Sequence, residues 1–274
     1  MASEKISRRA FLRIALLSAI GAGLAYYQRL TQPFGVMNYT RWMLRGRFKQ
    51  WVGKKAVVAL GECPSYQANL HETLLGLWKL AEMPDVRGMK VFVKPNLVDS
   101  VEEYPTTTAP QVIAALVDLL QDMGATRVAV GDGPAFRRDA YAIARQSGYD
   151  DFLSQRNVPF VDLNYDDPQP VSVKDGWIGR SDVLWLPRHV LEADLIISVP
   201  KMKTHHWAGV SLSMKNLLGF FPGLRYGWPK NSIHFNGIAP SILGIYQVLP
   251  PVLAVVDGII GMEGDGPLFG TPVQ

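Results

Sequence analysis

Short apolar runs alternate with longer amphipathic segments over most of the chain. The runs are typical of buried parallel strands and fall at residues 56–60, 89–93, 127–130, 160–163, 194–199 and 252–256. Apolar residues recur at helical spacing between them, at residues 69–82, 109–123 and 139–147. This alternation predicts an α/β fold with a mostly parallel sheet flanked by helices.

Local signals refine two parts of this pattern. Thr108 and Pro110 are typical of the N-cap and first turn of a helix, and Gly124 of its end. Residues 171–173 and 183–186 break the alternation, and we expect them to form a small inserted β-hairpin.

The first 25 residues have the layout of an export signal. Arg8 and Arg9 are followed by Phe11 and Leu12, which is the twin-arginine pattern, and an uncharged stretch covers residues 14–25. That stretch is shorter than the roughly 20 apolar residues that a spanning helix needs. We therefore expect the twin-arginine translocation machinery to export the folded protein to the periplasm or cell exterior. An uncleaved signal that anchors the chain is the alternative.

Charge divides the chain into a basic beginning and an acidic body. Residues 1–55 hold eleven Lys and Arg against one acid, a net charge of +10, whereas residues 56–274 hold seventeen against twenty-three, a net charge of −6. The body therefore lacks a nucleic-acid footprint, and we expect no nucleic-acid partner. The basic, aromatic residues 41–55 fit either contact with an anionic membrane surface or a solvated linker.

We divide the chain into residues 1–25 as signal or anchor, 26–55 as basic linker or first helix, and 56–274 as the α/β domain. Cys63 is the single cysteine, which excludes a disulfide within the chain. It also excludes a cysteine-ligated iron–sulfur cluster, because such a cluster needs about four thiolates.

Polar residues with chemical potential follow several predicted strands. Ligands bind at the carboxyl ends of strands in a parallel sheet, so these positions are candidate site residues. They are Lys94, Asn96, Asp132, Lys201, Lys203, His205, His206, Asp257, Glu263 and Asp265. Four more candidates are placed by proximity in sequence alone, namely Lys215, Asn216, Lys230 and His234.

The densest of these segments is KMKTHH at residues 201–206. Lys201 and Lys203 lie on one side of an extended segment, where they neutralise a phosphate or carboxylate. Adjacent histidines point to opposite sides, so only one of His205 and His206 faces a shared pocket directly. We predict a catalytic role for His205 or His206 with Lys203. A solvated basic loop is the alternative.

The acidic, glycine-rich segment that begins at Asp257 offers oxygen ligands for a divalent metal. Glu263 and Asp265 supply carboxylates there, and either histidine of the basic segment would complete the site. The two segments would then have to meet, although some sixty residues separate them. A tight turn rich in Gly and Asp explains the same pattern without a metal.

Five long motifs occur in the order of a known family. They are VFVKPNLV at 91–98, VGDGP at 130–134, ADLIISVPKMKTHHWAGVSLSMKNLLG at 193–219, GWPKNSIHFNGI at 227–238 and VVDGIIGMEGDGP at 255–267. The chain thus resembles the domain-of-unknown-function 362 family from about Ala56 onward. The resemblance implies an α/β domain that continues beyond residue 274, and it implies no particular reaction. A looser similarity to the nickel-dependent lactate racemase group is analogy only.

Two functions from different classes fit these residues. The first is an exported enzyme that binds an anionic substrate or cofactor in a Lys-, His- and Asp-lined pocket at the strand ends, with or without a metal. The second is a non-catalytic ligand-binding or redox accessory protein that works with a membrane partner.

Export through the twin-arginine machinery depends on the arginine pair. Replacing Arg8 and Arg9 together by lysine should leave the protein in the cytoplasm, because the machinery reads that pair. Cell fractionation and immunoblotting measure the outcome. Unchanged export of the double variant would contradict the prediction.

Overall fold

The computed structural model describes residues 16–23, 26, 56–99, 104–135, 139–173, 183–206, 208–228, 230 and 237–274. Contacts divide the chain into two units, residues 1–54 with 235–237 and residues 55–234 with 238–274. The arginine pair, the basic stretch at residues 41–55 and His234 lie outside the described residues.

The described part of the first unit is a short helical segment. Residues 16–23 are helical, and the side chains of Leu16, Leu17 and Ile20 are exposed. None of the described helices combines the length and the apolar character needed to cross a membrane.

The second unit contains every helix and strand of the candidate site. Its elements in chain order are α1 (Leu70–Leu80), β1 (Lys90–Pro95), α2 (Pro110–Asp122), β2 (Arg127–Asp132), α3 (Ala140–Gln146), α4 (Tyr149–Gln155), β3 (Phe160–Asp162), β4 (Pro168–Ser172), β5 (Val183–Pro187), α5 (Arg188–Leu191), β6 (Leu195–Val199), β7 (Lys201–His205), β8 (Gly209–Ser211), α6 (Ser213–Asn216), the 3₁₀ helix η1 (Leu217–Phe220), α7 (Gly223–Tyr226), α8 (Ile238–Tyr246), β9 (Val252–Ala254), β10 (Asp257–Glu263) and β11 (Thr271–Val273).

Five parallel strands form the main sheet in the order β3-β2-β1-β6-β9. The prediction of an α/β fold with a mostly parallel sheet is confirmed. The chain proceeds from β1 through β2 to β3 in one direction and then returns to β6 and β9 on the other side of β1. The strand order reverses between β1 and β6. In parallel α/β sheets ligands bind outside the carboxyl ends of the strands at such a place, and we call it the switch point.

Both faces of the main sheet are covered. Val91 and Val93 of β1 face a core formed with α1, α2, α3 and α4. Phe92 points the opposite way, into a second core formed with the β4–β5 hairpin, α5, η1 and α8. Side chains alternate between the faces because successive residues of a strand point in opposite directions. Lys94 is therefore on the second face, beneath η1.

A second, four-stranded sheet has the order β11-β10-β7-β8, with β10 parallel to β7 and the outer pairs antiparallel. The segment at 201–206 is extended, in agreement with the expectation, and forms β7 over Lys201–His205, while the acidic segment forms β10 over Asp257–Glu263. In β7 the alternate residues Lys201, Lys203 and His205 are buried, whereas Met202 is exposed. Cations and a histidine occupy the buried positions, so the apolar alternation of a strand is missing from the sequence.

Three local predictions have different outcomes. Residues 56–60 form no strand, and Val58 and Leu60 are exposed. Pro110 opens α2 as predicted, but the N-cap is Ala109. The Thr108 hydroxyl instead donates to the carbonyl of Val199 and accepts from the amide of Asn96. The predicted hairpin is confirmed, with β4 antiparallel to β5.

Leu116 of α2 tests the importance of the first core. Its side chain is fully buried, so Leu116→Ala should lower the free energy of unfolding by about 2–5 kcal/mol through lost burial and a cavity. Leu80→Ala is the control, because Leu80 is 69% exposed, and its effect should stay within about 0.5 kcal/mol. Urea denaturation measures both, and equal effects would contradict this packing.

Candidate functional site

A buried ion pair lies at the carboxyl ends of β1 and β2. Lys94 Nζ is 2.5 Å from Asp132 Oδ1, and both side chains are almost fully buried. Lys94 also donates to the carbonyl of Pro95 and to Asn216 Oδ1. Asp132 accepts from the amides of Leu97 and Gly133, each at 2.7 Å. The pair meets because β1 and β2 are neighbouring parallel strands.

The segment α6–η1 closes over this pair. Asn216 Nδ2 donates to the carbonyl of Lys94 and to Ser198 Oγ, each at 3.1 Å, and so joins β1 to β6. Gly219 lies against the ion pair, and a Cβ at this position would come within 2.3 Å of Asp132 Oδ1 and 2.7 Å of Lys94 Nζ. A residue without a side chain is therefore required here.

A second buried ion pair joins β7 to β10. Lys201 Nζ is 2.6 Å from Asp257 Oδ2 and donates to the Tyr66 hydroxyl at 2.7 Å. The hydroxyl of Tyr66 donates in turn to Asp257 Oδ1, and the amide of Ala109 donates to Oδ2. Each Asp257 oxygen thus has a protein partner. Burial, followed by the negative charge of Asp257, raises the pKa of Tyr66 above its usual value.

Three further lysines have no carboxylate partner within the described residues. Lys203 Nζ donates to the carbonyl of Thr106 at 2.5 Å, and Lys230 Nζ donates to the carbonyl of Gly133 at 2.7 Å. Lys215, in α6, is half-buried, and its ammonium makes no hydrogen bond or ion pair with the described residues.

The five lysines form what we call the lysine cluster, comprising Lys94, Lys201, Lys203, Lys215 and Lys230. Burial is the largest cause that lowers each pKa. For Lys203 the next causes are the positive charges of Lys215 and Lys201. The pKa of Lys215 falls to about 8 and that of Lys230 to about 7. Desolvation and mutual repulsion thus disfavour positive charge here.

Asn96 adds an unsatisfied acceptor at the end of β1. Its Oδ1 atom is buried and has no hydrogen-bond partner in the described structure. Buried polar atoms without a partner are uncommon and costly, by about 1–3 kcal/mol. Within the described residues, the end of β1 thus carries a buried acceptor without a partner, and Lys215 in α6 carries an ammonium group without one.

The two histidines occupy different environments. His205 is buried on the same side of β7 as Lys203, and its Nδ1 accepts from the amide of Ala208 at 3.3 Å. His206 contacts the carbonyl of Gly266 through Nδ1 at 3.1 Å. The rings are stacked with centroids 4.9 Å apart. The basic segment and the acidic segment therefore meet, through His206 and the backbone of Gly266.

The residues predicted to bind a metal lie in separate environments in the described structure. Asp257 is fully engaged with Lys201, Tyr66 and Ala109, and the side chains of Glu263 and Asp265 are exposed. Within the described ranges no three His, Cys, Asp or Glu side chains are gathered where one ion would sit. The divalent metal stays a prediction, and no chemical step is derived through it.

The structure brings most predicted residues together and adds some that sequence reasoning missed. Lys94, Asn96, Asp132 and Asn216 meet at or beside the switch point. The partners that were missed are Tyr66, Thr106, Thr108, Ser198 and Gly219. Gly219 ends the long motif at residues 193–219, but the sequence carries no signal that an ion pair would pack against it.

The Lys94–Asp132 pair should control folding stability. Asp132→Asn keeps the shape of the side chain but leaves Lys94 buried without its counter-charge, so the free energy of unfolding should fall by about 3–5 kcal/mol. Asp122→Asn is the control, because it breaks an exposed pair with His71 and should cost less than about 1 kcal/mol. Chemical denaturation compares them, and a cost below about 1 kcal/mol for Asp132→Asn would show that the pair is dispensable.

Comparison with known proteins finds a relative that aligns with part of this chain. The chain is 29% identical to a thylakoid-associated protein of Synechocystis sp. over 188 residues, which are 68% of this chain and 56% of that protein. The chain thus spans little more than half the length of this relative.

Two solved structures are similar at low scores. The lactate racemase apoprotein of Thermoanaerobacterium thermosaccharolyticum matches with a TM-score of 0.43 and 16% identity, over 62% of this chain and 43% of that one. A structural-genomics target from Thermotoga maritima matches with a TM-score of 0.47 and 14% identity, over 76% of this chain and 54% of that one. Both scores are too low to identify a shared site.

One family matches most of the α/β unit, including β1, β2 and the whole lysine cluster. Its description is Domain of unknown function (DUF362), and it matches residues 91–274. The chain belongs to this family.

Proposed function

We propose that the second unit is an enzyme domain that binds a phosphate- or carboxylate-bearing small molecule at the switch point. The observation that carries this proposal is that two lysines, Lys203 and Lys215, lie near each other. The charge of Lys215 lowers the pKa of Lys203, and no carboxylate of the described residues forms an ion pair with either lysine. An anion between them would supply the missing negative charge.

Charge balance supports an anion over a cation at this site. Asp132 and Asp257 are the carboxylates in contact with the cluster, and each is paired with its own lysine. Positive charge therefore remains in surplus wherever Lys203 and Lys215 are protonated. Hydrogen bonds to a charged group contribute about 1.5–3 kcal/mol each, so two ammonium donors give useful affinity for a phosphate or carboxylate.

We assign proton transfer to His205 in preference to His206. His205 is buried on the side of β7 that carries Lys201 and Lys203, so it faces the same interior as the ammonium groups. His206 is exposed, and its ring is bound to the carbonyl of Gly266. In this proposal the lysines bind and orient the anion, and His205 donates or accepts the proton.

The accessory role is the second candidate, and the name of the Synechocystis relative favours it. That protein is described as thylakoid-associated, which is a membrane location. In this version the exported chain holds its anionic ligand for a membrane partner, and His205 has no catalytic part. Activity loss in His205→Gln with unchanged ligand affinity would favour the enzyme, once a substrate is known.

Binding of inorganic phosphate and of malonate tests the anion site. Either ligand should raise the melting temperature of the wild-type protein, because a ligand that binds only the folded state stabilises it. Lys215→Met should remove most of the increase and preserve the fold, since this ammonium has no protein partner to lose among the described residues. Lys79→Met, at an exposed position in α1, is the control and should respond as wild type does. An unchanged response of Lys215→Met would rule out the proposed site.

The pH dependence of binding follows from the lowered lysine pKa values. Lys215 is charged below its pKa of about 8 and neutral above it, so anion affinity should fall as pH rises from 7 to 9.

In the absence of ligand, the folding stability should change with pH in the opposite direction. In the folded protein Lys230 and Lys215 release their protons at about pH 7 and pH 8, whereas unfolded lysines keep theirs to about pH 10.4. The unfolded state therefore binds more protons between about pH 7 and pH 10.4, so the free energy of unfolding should rise with pH over that range. Calorimetric titration and denaturation at several pH values measure the two trends, and anion affinity that is independent of pH would contradict the assignment.

A further inference from the structure

We propose that a cavity beside the edge strand β3 is a binding site for a small organic ammonium ion. The cavity has a volume of about 780 Å³, which is within the range of about 300–1,000 Å³ for small-molecule pockets. It lies outside the lysine cluster, and none of the five lysines lines it. We call it the acidic cavity, and its chemically active walls are Asp139, Asp162, Asp166, Tyr165, His189 and Trp228.

Negative charge dominates these walls. Three carboxylates line the acidic cavity, and no Lys or Arg is among the described residues that line it. Asp139 caps α3 by accepting from the amide of Ala142, and Asp166 accepts from His189. Lys230 lies nearby, but its ammonium is buried and bound to the carbonyl of Gly133. The charge of the cavity thus favours a cationic occupant.

Asp162 supplies an unused acceptor. This residue is 7% exposed, ends β3 and faces the cavity. Its Oδ1 atom accepts from the amide of Asn164, and Oδ2 has no partner among the described residues. Burial raises the pKa of Asp162 and the nearby negative charge of Asp139 adds to this, whereas the amide of Asn164 and the charge of Lys230 oppose it. A donor from a positively charged ligand would satisfy Oδ2.

Aromatic rings complete the walls. Trp228 and Tyr165 contact each other with centroids 5.6 Å apart and planes 38° apart. The Trp228 ring is held against Gly223, where a Cβ would come within 2.4 Å of the ring. Aromatic faces attract ammonium groups by about 0.5–1 kcal/mol at exposed sites and more when the ion is desolvated. Proteins recognise organic ammonium ions with aromatic rings that lie beside carboxylates.

His189 and Asp166 form the opposite, polar wall. Asp166 Oδ1 lies 2.8 Å from His189 Nδ1, and Oδ2 accepts from the His189 amide at 2.9 Å. A neutral ring that donates from Nδ1 keeps Nε2 as an acceptor. This wall therefore offers acceptors to a ligand that carries several N–H groups.

The arrangement fits an extended organic ion better than a metal ion. No three acidic or histidine side chains within the described ranges are grouped tightly enough to hold one metal. Carboxylates and aromatic rings that line the same cavity instead match a ligand with an ammonium head and an apolar body. A primary amine on an aromatic or aliphatic frame has both features.

Three probes of the same shape test the charge preference on the wild-type protein. Benzylamine is a cation at neutral pH, benzyl alcohol is neutral and benzoate is an anion. Ligand-observed NMR and isothermal titration should show benzylamine binding at least about tenfold more tightly than benzyl alcohol, since one charge-assisted hydrogen bond corresponds to about that factor. Benzoate should not bind in the acidic cavity. Equal binding of all three probes, or no binding of benzylamine, would overturn the proposal without requiring a variant.

Variants locate the binding. Asp162→Asn should lower benzylamine affinity about tenfold or more and leave benzyl alcohol affinity unchanged, a split that a folding defect would not produce. Trp228→Leu should lower benzylamine affinity by a smaller factor, about two- to fivefold. Asp151→Asn, an exposed position in α4, is the matched control and should bind as wild type does. Wild-type affinity in Asp162→Asn would place the amine elsewhere and overturn the proposal.

Two further measurements distinguish this cavity from a metal site and from the lysine cluster. Magnesium chloride should not displace benzylamine at matched ionic strength, and displacement would favour a metal site and overturn the organic ligand. Lys215→Met should bind benzylamine normally even where it has lost its response to phosphate. The two proposals can therefore fail separately.

Discussion

The rest of the site depends on the buried Lys94–Asp132 ion pair. Removing two charges from water is costly, and the attraction between them compensates only when the remaining donors and acceptors are also satisfied. The chain meets that condition with the amides of Leu97 and Gly133 and with Asn216, while Gly219 leaves room for close packing. The loops after β1 and β2 and the segment after β8 are thus held in one arrangement, because each satisfies part of the same pair.

The lysine cluster extends beyond what this pair can neutralise. Lys201 has its own partner in Asp257, so the interior next to the pair is electrically balanced on both sides. Lys203 and Lys215 are additional, and burial lowers the pKa of both. A protein that needed packing alone would gain stability from apolar residues at these positions. Keeping amines there is costly in the free protein, and in the function that we propose a bound anion offsets that cost.

Sequence patterns predicted the main sheet because β1, β2 and β6 are buried on both faces and are continuously apolar. They failed at residues 56–60, where an equally apolar run pairs with no strand of the described structure. At β7 they indicated an extended segment, but the second sheet was not predicted, because buried lysines replace the apolar alternation. Strand ends located Lys94 and Asp132, but not Gly219, whose role arises from a contact across about ninety residues. His189 carries no motif, and neither its partner Asp166 nor the cavity that they line is visible in local sequence.

Lys230 connects the two proposed sites electrostatically. Asp132 raises its pKa and Lys94 lowers it, while Lys230 itself lowers the pKa of Asp162 at the acidic cavity. An anion bound at the lysine cluster would favour the charged form of Lys230, and the charged form favours ionised Asp162. Ionised Asp162 is the form that attracts an ammonium ion, although the charge of Lys230 opposes that ion directly. These two effects have opposite signs, and both act through the buried ammonium of Lys230. Linkage requires that a bound anion change the affinity for the ammonium ion by the same factor as the ammonium ion changes the affinity for the anion.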